Sequence, residues 1–249
     1  MNILLTNDDG YEASGITALF KSLCSEHKVF LIAPKENCSG MSAAISLRKE
    51  IEVKEISKNI FSVSGTPADC SYLGLLSVIP EPIEMIVSGI NLGANLGEDI
   101  FYSGTVGAAI SGRRLDFVPV AFSVATYVPK NLGFIAEQSL LITNQVSKLP
   151  SDQNLLVNVN FPDLSSSDIK GTRITTLGKR GMPDKPDLIR EKYPSKFYSF
   201  GPSGSLLSGQ VGTDIQAIEQ NYISISILDY NLSADVTNWD LYREVFDCE

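Results

Sequence analysis

Residues 85–109 read MIVSGINLGANLGEDIFYSGTVGAA, and they predict a strand, a loop and a helix in succession. The apolar run Met85–Ser88 is typical of a buried strand. Four glycines in the following loop permit positive φ angles and close backbone approach. A helix beginning near Thr105, capped by Ser103 or by Thr105 itself, would present free backbone N–H groups and the positive end of its dipole to an anion. The stretch therefore predicts either a phosphate cradle or an ordinary glycine-rich crossover in an α/β sheet.

Two adjacent carboxylates follow the first predicted strand. The apolar run Ile3–Thr6 is too short for a helix and fits a central parallel strand, and it leads into Asn7-Asp8-Asp9-Gly10. Carboxylates at the end of a buried strand repel each other and resist desolvation unless a cation lies between them. The pair predicts a Mg²⁺ or Mn²⁺ site with oxygen ligands. The alternative is an Asx-type turn with Asp9-Gly10 at its corner.

Strands and helices alternate along the first two thirds of the chain. Ile16, Leu19, Phe20 and Leu23 have helical spacing within residues 15–23, and a second apolar strand follows at residues 29–32. Further predicted elements are a β-hairpin at 50–64, a capped helix from 66, a helix ending near 113–115, strands at 118–123 and 155–161, and a helix at 132–146. This order predicts an α/β fold with a Rossmann-like, mostly parallel sheet flanked by helices.

The composition is that of a globular protein and restricts the possible functions. The 249 residues are 43% hydrophobic and 20% charged, and the net charge of −9 argues against polymeric nucleic acid as a partner. We expect a cytoplasmic protein with no membrane partner, because no signal peptide or apolar run of membrane-spanning length is present. The four scattered cysteines are expected to be reduced thiols. A single histidine, His27, argues against Ser-His-Asp hydrolysis, histidine zinc sites and phosphohistidine chemistry.

The chain changes character near Lys170. A β-branched segment at 172–177 is followed by 178–209, which is rich in Gly, Pro and Tyr and has little periodicity. A stretch of this length predicts an extended β-hairpin arm, exchanged between subunits. A last strand at 222–228 and a terminal amphipathic helix from Trp239 follow. We interpret residues 1–249 as a single domain, with a core at 1–170 and the arm, last strand and C-terminal helix at 171–249.

Polar side chains from several strand ends should meet at one edge of this sheet. They are Asp8, Asp9, Ser39, Asn91, Asn95 and the helix start Ser103-Gly104-Thr105. Two carboxylates with neutral hydroxyl and amide groups suit Mg²⁺, Mn²⁺ or Ca²⁺, with water completing the coordination. A metal beside a neutral anion cradle predicts metal-assisted hydrolysis of a phosphate monoester. Ser39 alone is equally typical of a turn.

Seven blocks in order along the chain resemble one family. They are LLTNDDG at 4–10, AP with SG at 33–40, GTPADC at 65–70, SGIN at 88–91 with Gly93 and Asn95, YSGTV at 102–106, NVNFP at 158–162, and GTD at 212–214. On these blocks the sequence is identified as a member of the SurE family of stationary-phase survival proteins and 5′-nucleotidases. The blocks span nearly the whole chain. Cys38 stands where the family usually has Gln, which bears on the pocket rim and on substrate preference.

The resemblance implies a phosphohydrolase for nucleoside 5′-monophosphates, with a Rossmann-like core, one divalent metal per subunit, and a swapped C-terminal segment that builds homodimers or homotetramers. It implies metal ligands at Asp8, Asp9, Ser39 and Asn91 and phosphate contacts at Asn95, Ser103, Gly104 and Thr105. Asp8 or Asp9 is then expected to orient the attacking water or to move its proton. 3′-Nucleotides and polyphosphate are further candidate substrates.

Two other classes of protein also place acidic residues after a first strand. A response-regulator receiver needs an acceptor aspartate after a later strand, where this chain has Ser88-Gly89-Ile90-Asn91. A haloacid-dehalogenase-type phosphatase needs a nucleophilic aspartate two residues before Asp9, where Asn7 stands. A covalent phosphoenzyme on Asp8 or Asp9 would favour one of these alternatives.

Overall fold

A computed structural model describes residues 1–150, 154–201, 204–207, 209–233 and 239–246. The strands are β1 Asn2–Thr6, β2 Lys28–Pro34, β3 Val53–Ser57, β4 Ile60–Val63, β5 Met85–Leu92, β6 Val120–Val124, β7 Leu155–Phe161, β8 Thr172–Thr175, β9 Asp187–Lys192, β10 Ser195–Ser199 and β11 Ile223–Asp229. The α-helices are α1 Ser14–Leu23, α2 Pro67–Leu73, α3 Gly104–Ile110, α4 Leu132–Val146, α5 Asp214–Glu219 and α6 Trp239–Phe246. A π-helical turn at Gly74–Val78 and a 3₁₀ helix at Gly97–Phe101 complete the elements.

Nine strands form one sheet in the order β3-β4-β2-β1-β5-β6-β7-β11-β8. The central strands β4, β2, β1, β5, β6 and β7 run parallel, whereas β3 and β11 pair antiparallel to their inner neighbours. From β1 the chain first builds the sheet toward β2 and later returns to the other side of β1 as β5. The carboxyl ends of β1 and β5 therefore flank a topological switch point, where open α/β sheets bind ligands.

Helices cover both faces of the sheet, so the central strands are buried on both sides. On β1, Ile3 and Leu5 join the core on the face covered by α1 and α4, while Leu4 joins the core under α2. Phe122 and Phe161 are the largest fully buried side chains among the described residues, with ring centroids 6.2 Å apart. The Rossmann-like, mostly parallel α/β fold predicted from the alternation of strands and helices is confirmed.

The ends of β5 and α3 differ by several residues from those predicted. β5 extends to Leu92 because, after an irregularity between Ser88 and Asn91, its last residues pair with β6. The segment interpreted as a glycine-rich loop therefore begins as a strand, and Asn91 lies within it. Helix α3 ends at Ile110, before the predicted 113–115, because the next amides donate to carbonyls only three residues back, as tight turns.

The segment after Lys170 divides between the sheet and an arm. β8 and β11 join the main sheet, and β9 with β10 forms the predicted antiparallel hairpin apart from it. Residues 202, 203 and 208 of the irregular stretch, and Cys248, lie outside the described residues. The other cysteines, Cys24, Cys38 and Cys70, are free thiols. The division into a core at 1–170 and the arm, last strand and C-terminal helix at 171–249 stays a prediction.

None of the helices in the described part of the chain has the length and apolar character needed to cross a bilayer.

Candidate active site

A tight turn after β1 presents the two carboxylates. The side chain of Asn7 makes this turn: its Nδ2 donates to the Gly10 carbonyl at 2.9 Å, and its Oδ1 accepts from the Gly10 amide at 3.2 Å. The Asx-type turn considered from the sequence therefore exists, but Asn7 forms it. The carboxylates of Asp8 and Asp9 take no part in this turn and accept hydrogen bonds from other residues.

Asp8 is only 3% exposed and lies against the first turn of α3. Its Oδ1 accepts a hydrogen bond from the Thr105 hydroxyl at 2.5 Å. Burial raises the pKa of Asp8 to about 6, the negative charge of Asp9 adds to the rise, and the bond from Thr105 opposes it. The groups around Asp8 therefore do not fully stabilise the negative charge of its carboxylate.

Asp9 lies between β5 and the loop after β2. Its Oδ2 accepts from the Leu92 amide at 3.0 Å, and its Oδ1 accepts from Asn37 Nδ2 at 3.2 Å. Burial raises the pKa of Asp9, and these two hydrogen bonds partly offset the rise. Both contacts orient the carboxylate at the switch point.

The other two predicted metal ligands border this pair. Asn91 immediately precedes Leu92, and its Nδ2 donates to the Gly93 carbonyl at 2.8 Å, so its side-chain oxygen is the atom that would bind a metal. Ser39 is exposed in the loop after β2, where the neighbouring Cys38 amide donates to the Asp8 carbonyl at 2.7 Å. The loop bearing Ser39 is thereby tied to Asp8.

The start of α3 lies directly on Asp8. Ser103 is the N-cap, and its hydroxyl accepts from the Val106 amide at 3.1 Å, as one of the two caps predicted. A Cβ at Gly104 would lie 2.7 Å from Asp8 Cβ, so no side chain fits there. The predicted phosphate residues Ser103, Gly104 and Thr105 are therefore placed beside Asp8, although the Thr105 hydroxyl already donates to its carboxylate.

Asn95 belongs to a buried polar cluster. Its Nδ2 donates to Ser123 Oγ at 2.8 Å, its amide donates to Asn160 Oδ1 at 2.9 Å, and its carbonyl accepts from Asn158 and Asn160. These bonds fix the loop after β5 against β6 and β7. The side-chain nitrogen of Asn95 already donates to Ser123. A direct contact between Asn95 and phosphate stays a prediction.

Three contributors to the site were missed by the interpretation of the sequence. Asn37 holds Asp9, Asn160 holds Asn95, and Asp214 accepts from the Gly97 amide at 2.7 Å and from the Gly178 amide at 2.8 Å. The sequence did contain a pattern that predicts a buried polar cluster: Asn158 and Asn160 lie on the same face of the otherwise apolar strand β7. Asn37 carries no comparable signal.

His27 takes no part in this site. It precedes β2, at the amino ends of the strands and thus the opposite edge of the sheet, where its Nε2 lies 3.0 Å from Asn144 Oδ1. Its side chain is half-buried. Burial lowers the pKa of His27.

The donor set fits a hard divalent cation. The ion pairs of the described residues involve neither Asp8 nor Asp9, so no basic side chain there neutralises the two carboxylates. No three His, Cys, Asp or Glu side chains gather as a metal cluster in that part of the chain. Neutral oxygens, such as those of Asn91 and Ser39, would therefore complete the coordination, as Mg²⁺ and Mn²⁺ accept.

The fold and the site together define a class: Rossmann-like α/β proteins with paired carboxylates at the switch point, facing a helix N-terminus. Comparison with known proteins narrows this class. The family model described as Survival protein SurE matches residues 3–184, so the chain belongs to the SurE family.

Individual relatives match almost the full length. The 5′-nucleotidase SurE of Vesicomyosocius okutanii is 40% identical over 96% of this chain and 97% of its own, and that of Pseudoalteromonas atlantica is 36% identical over 96% and 98%. The crystal structure of the SurE protein from Aquifex aeolicus superposes with a TM-score of 0.86 at 32% identity, covering 99% of this chain and 100% of that one.

Proposed function

We propose that this protein is a metal-dependent phosphomonoesterase that hydrolyses nucleoside 5′-monophosphates to nucleoside and phosphate. The observation that carries the proposal is the placement of Asp8 and Asp9 at the switch point, with Asp8 against the capped start of α3. Relatives named 5′-nucleotidase SurE over almost the full length support the substrate class.

Asp8, Asp9, Asn91 and Ser39 would hold one divalent ion, Mg²⁺ or Mn²⁺, with Ca²⁺ as a possible occupant of the same ligands. When bound, such an ion supplies positive charge to phosphoryl oxygens and acidifies water. The raised pKa of Asp8 supports this assignment, because a cation would favour its charged form.

The protein's own groups position the reaction. Asp9, held by Leu92 and Asn37, orients the attacking water or accepts its proton. Backbone N–H groups at the start of α3 and the Ser103 cap favour negative charge on the phosphoryl oxygens. The low solvent exposure of Asp8 strengthens these electrostatic interactions.

Phosphate release tests the proposal. A panel of nucleoside 5′- and 3′-monophosphates and polyphosphate is assayed with EDTA and then with Mn²⁺ or Mg²⁺ added back. We expect release from 5′-monophosphates that EDTA abolishes and metal restores, and the 3′-nucleotide and polyphosphate assays decide those further substrates. Absence of release with either metal would contradict the proposal.

Two variants sharpen this test. Asp9→Asn should nearly abolish turnover while the protein stays folded, whereas Leu76→Ala, which truncates an exposed side chain of the π-helical turn, should retain it. A phosphoenzyme trapped on Asp8 or Asp9 would instead favour a receiver or a haloacid-dehalogenase-type mechanism.

A cytoplasmic site of action stays a prediction.

The arm supports a homo-oligomer as a further proposal. Leu188, Ile189, Tyr193 and Tyr198 of the β9–β10 hairpin are exposed apolar side chains, and Trp239 of α6 is exposed as well. Such surfaces favour association with a second copy, through a dimer or tetramer. Light scattering of the intact chain measures the oligomeric state, and a monomer at micromolar concentration would contradict it.

A further inference from the structure

A row of buried side chains crosses six strands of the main sheet. The strand register makes each member the neighbour of the next, and the row consists of Thr6 on β1, Ser88 on β5, Ala121 on β6, Asn158 on β7, Ser226 on β11 and Thr175 on β8. All of them except Ala121 are polar, although all are buried. Because buried polar groups are normally hydrogen-bonded, each polar member of this row needs a partner inside the protein.

The two ends of the row differ in how this need is met. At one end, Thr175 Oγ1 lies 2.8 Å from Ser224 Oγ and 2.9 Å from Ser226 Oγ, so these hydroxyls bond to one another. At the other end, Thr6 and Ser88 are fully buried, and neither hydroxyl has a hydrogen-bond partner among the described residues. A hydroxyl in this position is unfavourable, because it has lost its bonds to solvent and gained none in return.

The geometry of Thr6 and Ser88 suits a single bridging water. The two residues are Cα partners on adjacent parallel strands, which lie about 4.8 Å apart. Their side chains share a face of the sheet, because Leu4 and Ile86, each two residues earlier, belong to one apolar cluster. One water between the two hydroxyls can bond to both, as donor or acceptor, without bringing a charge into the sheet.

This pair lies where the strands deliver the proposed metal ligands. Thr6 and Ser88 are the last residues at which β1 and β5 pair, and the pairing of β5 with β6 becomes irregular directly after Ser88. Asp8 follows Thr6 by two residues, and Asn91 follows Ser88 by three. A link between the two hydroxyls would therefore fix the spacing of the strand ends that carry Asp8 and Asn91.

We propose that Thr6 and Ser88 bind one internal water, which joins the ends of β1 and β5 beside the proposed metal site. The two are positioning residues, because their hydroxyls bond to the water and act on the metal ligands through the strand ends. Only this effect on the metal rests on the proposed function. The water site itself depends on the two buried hydroxyls alone.

A crystal structure of the wild-type protein tests the water directly, and we expect ordered density within hydrogen-bond distance of both hydroxyl oxygens. Thr6→Val and Ser88→Ala test it by urea denaturation of EDTA-treated protein. Each removes one hydroxyl and should raise the equilibrium constant of unfolding about fivefold, the scale of one net hydrogen bond. Because one water serves both groups, the double variant should fall well below the ~25-fold product of two independent losses.

Metal affinity tests the positioning role without an activity assay. The dissociation constant for Mn²⁺, measured by electron paramagnetic resonance, should rise about tenfold in Thr6→Val and Ser88→Ala, as when a group that orients metal ligands is lost. Thr6→Ser keeps the hydroxyl and should retain both the water and the wild-type affinity. Ser139→Ala is the matched control, because this fully buried hydroxyl of α4 bonds directly to the Ile135 carbonyl at 2.8 Å.

The unfavourable outcomes are distinct. Absence of the water from the crystal structure, or apolar variants more stable than wild type, would overturn the water site, since unpaired buried hydroxyls gain stability when they are replaced by apolar groups. Unchanged Mn²⁺ affinity in both variants would overturn the positioning role. Failure of the wild-type protein to bind Mn²⁺ or Mg²⁺ would overturn the proposed function, while the crystal structure and the urea titrations would still decide the water site.

Discussion

Replacing Asp8 with Asn should stabilise the metal-free protein at neutral pH, although it removes a proposed metal ligand. Asp8 is almost fully buried, and its pKa is about 6 in the folded protein against an ordinary value of 3.8. A pKa unit corresponds to ~1.4 kcal/mol, so this difference is worth about 3 kcal/mol. Asn has nearly the same shape, can still accept from the Thr105 hydroxyl, and carries no charge to desolvate.

The sign of the effect follows from linkage. Because folding raises the pKa of Asp8, its contribution to stability is fully present below pH 3.8 and is lost as the pH rises through about 6. The free energies of unfolding of wild type and Asp8→Asn should therefore be similar near pH 4 and differ by about 3 kcal/mol at pH 7.5, with Asn the more stable.

Urea denaturation of EDTA-treated protein from pH 4 to 7.5 measures this difference. Asp163→Asn is the matched control. Burial raises the pKa of Asp163, but hydrogen bonds from Lys130 and Asn131 outweigh burial, so the pKa lies below its ordinary value. This variant should therefore lose stability at neutral pH, the opposite of the result expected for Asp8→Asn. Mn²⁺ should stabilise wild type and not Asp8→Asn. An Asp8→Asn variant that is less stable than wild type at pH 7.5 without metal would refute the reasoning.

Three other substitutions have effects that the structure defines. Gly104→Ala places a Cβ 2.7 Å from Asp8 Cβ and should displace the Asp8 carboxylate. Steady-state assays should then show at least ~100-fold lower kcat/KM, with the fold intact by circular dichroism. Wild-type turnover would contradict the close packing. Asp69→Ala removes the capping box with Thr66 and the bond from the Ser46 amide, and should lower the free energy of unfolding by about 1–3 kcal/mol in urea titrations. Phe122→Ala leaves a cavity in the core and should cost about 3–5 kcal/mol by the same measurement, so a loss below ~1 kcal/mol would show that the core collapses to fill it.

Local patterns predicted much of the fold and part of the site. The capping box of Thr66 and Asp69 was predictable because its partners are three residues apart, and the structure contains both hydrogen bonds. The carboxylates at Asp8 and Asp9 were predictable because the buried strand before them is short and apolar. The extent of β5 was not, because its last residues are held by pairing with β6 despite a glycine-rich sequence.

The sequence by itself determined the strand and helix order, the hairpin of the arm, the carboxylate pair and the capped start of α3, because each depends on residues close together in the chain. Only the tertiary structure decided that Asp8 lies under Thr105, that Asn37 and Leu92 hold Asp9, and that Asp214 joins the core to the arm. These contacts join residues 28 to 117 positions apart. No local periodicity encodes such pairings, because they arise only when the sheet brings its strand ends to one edge.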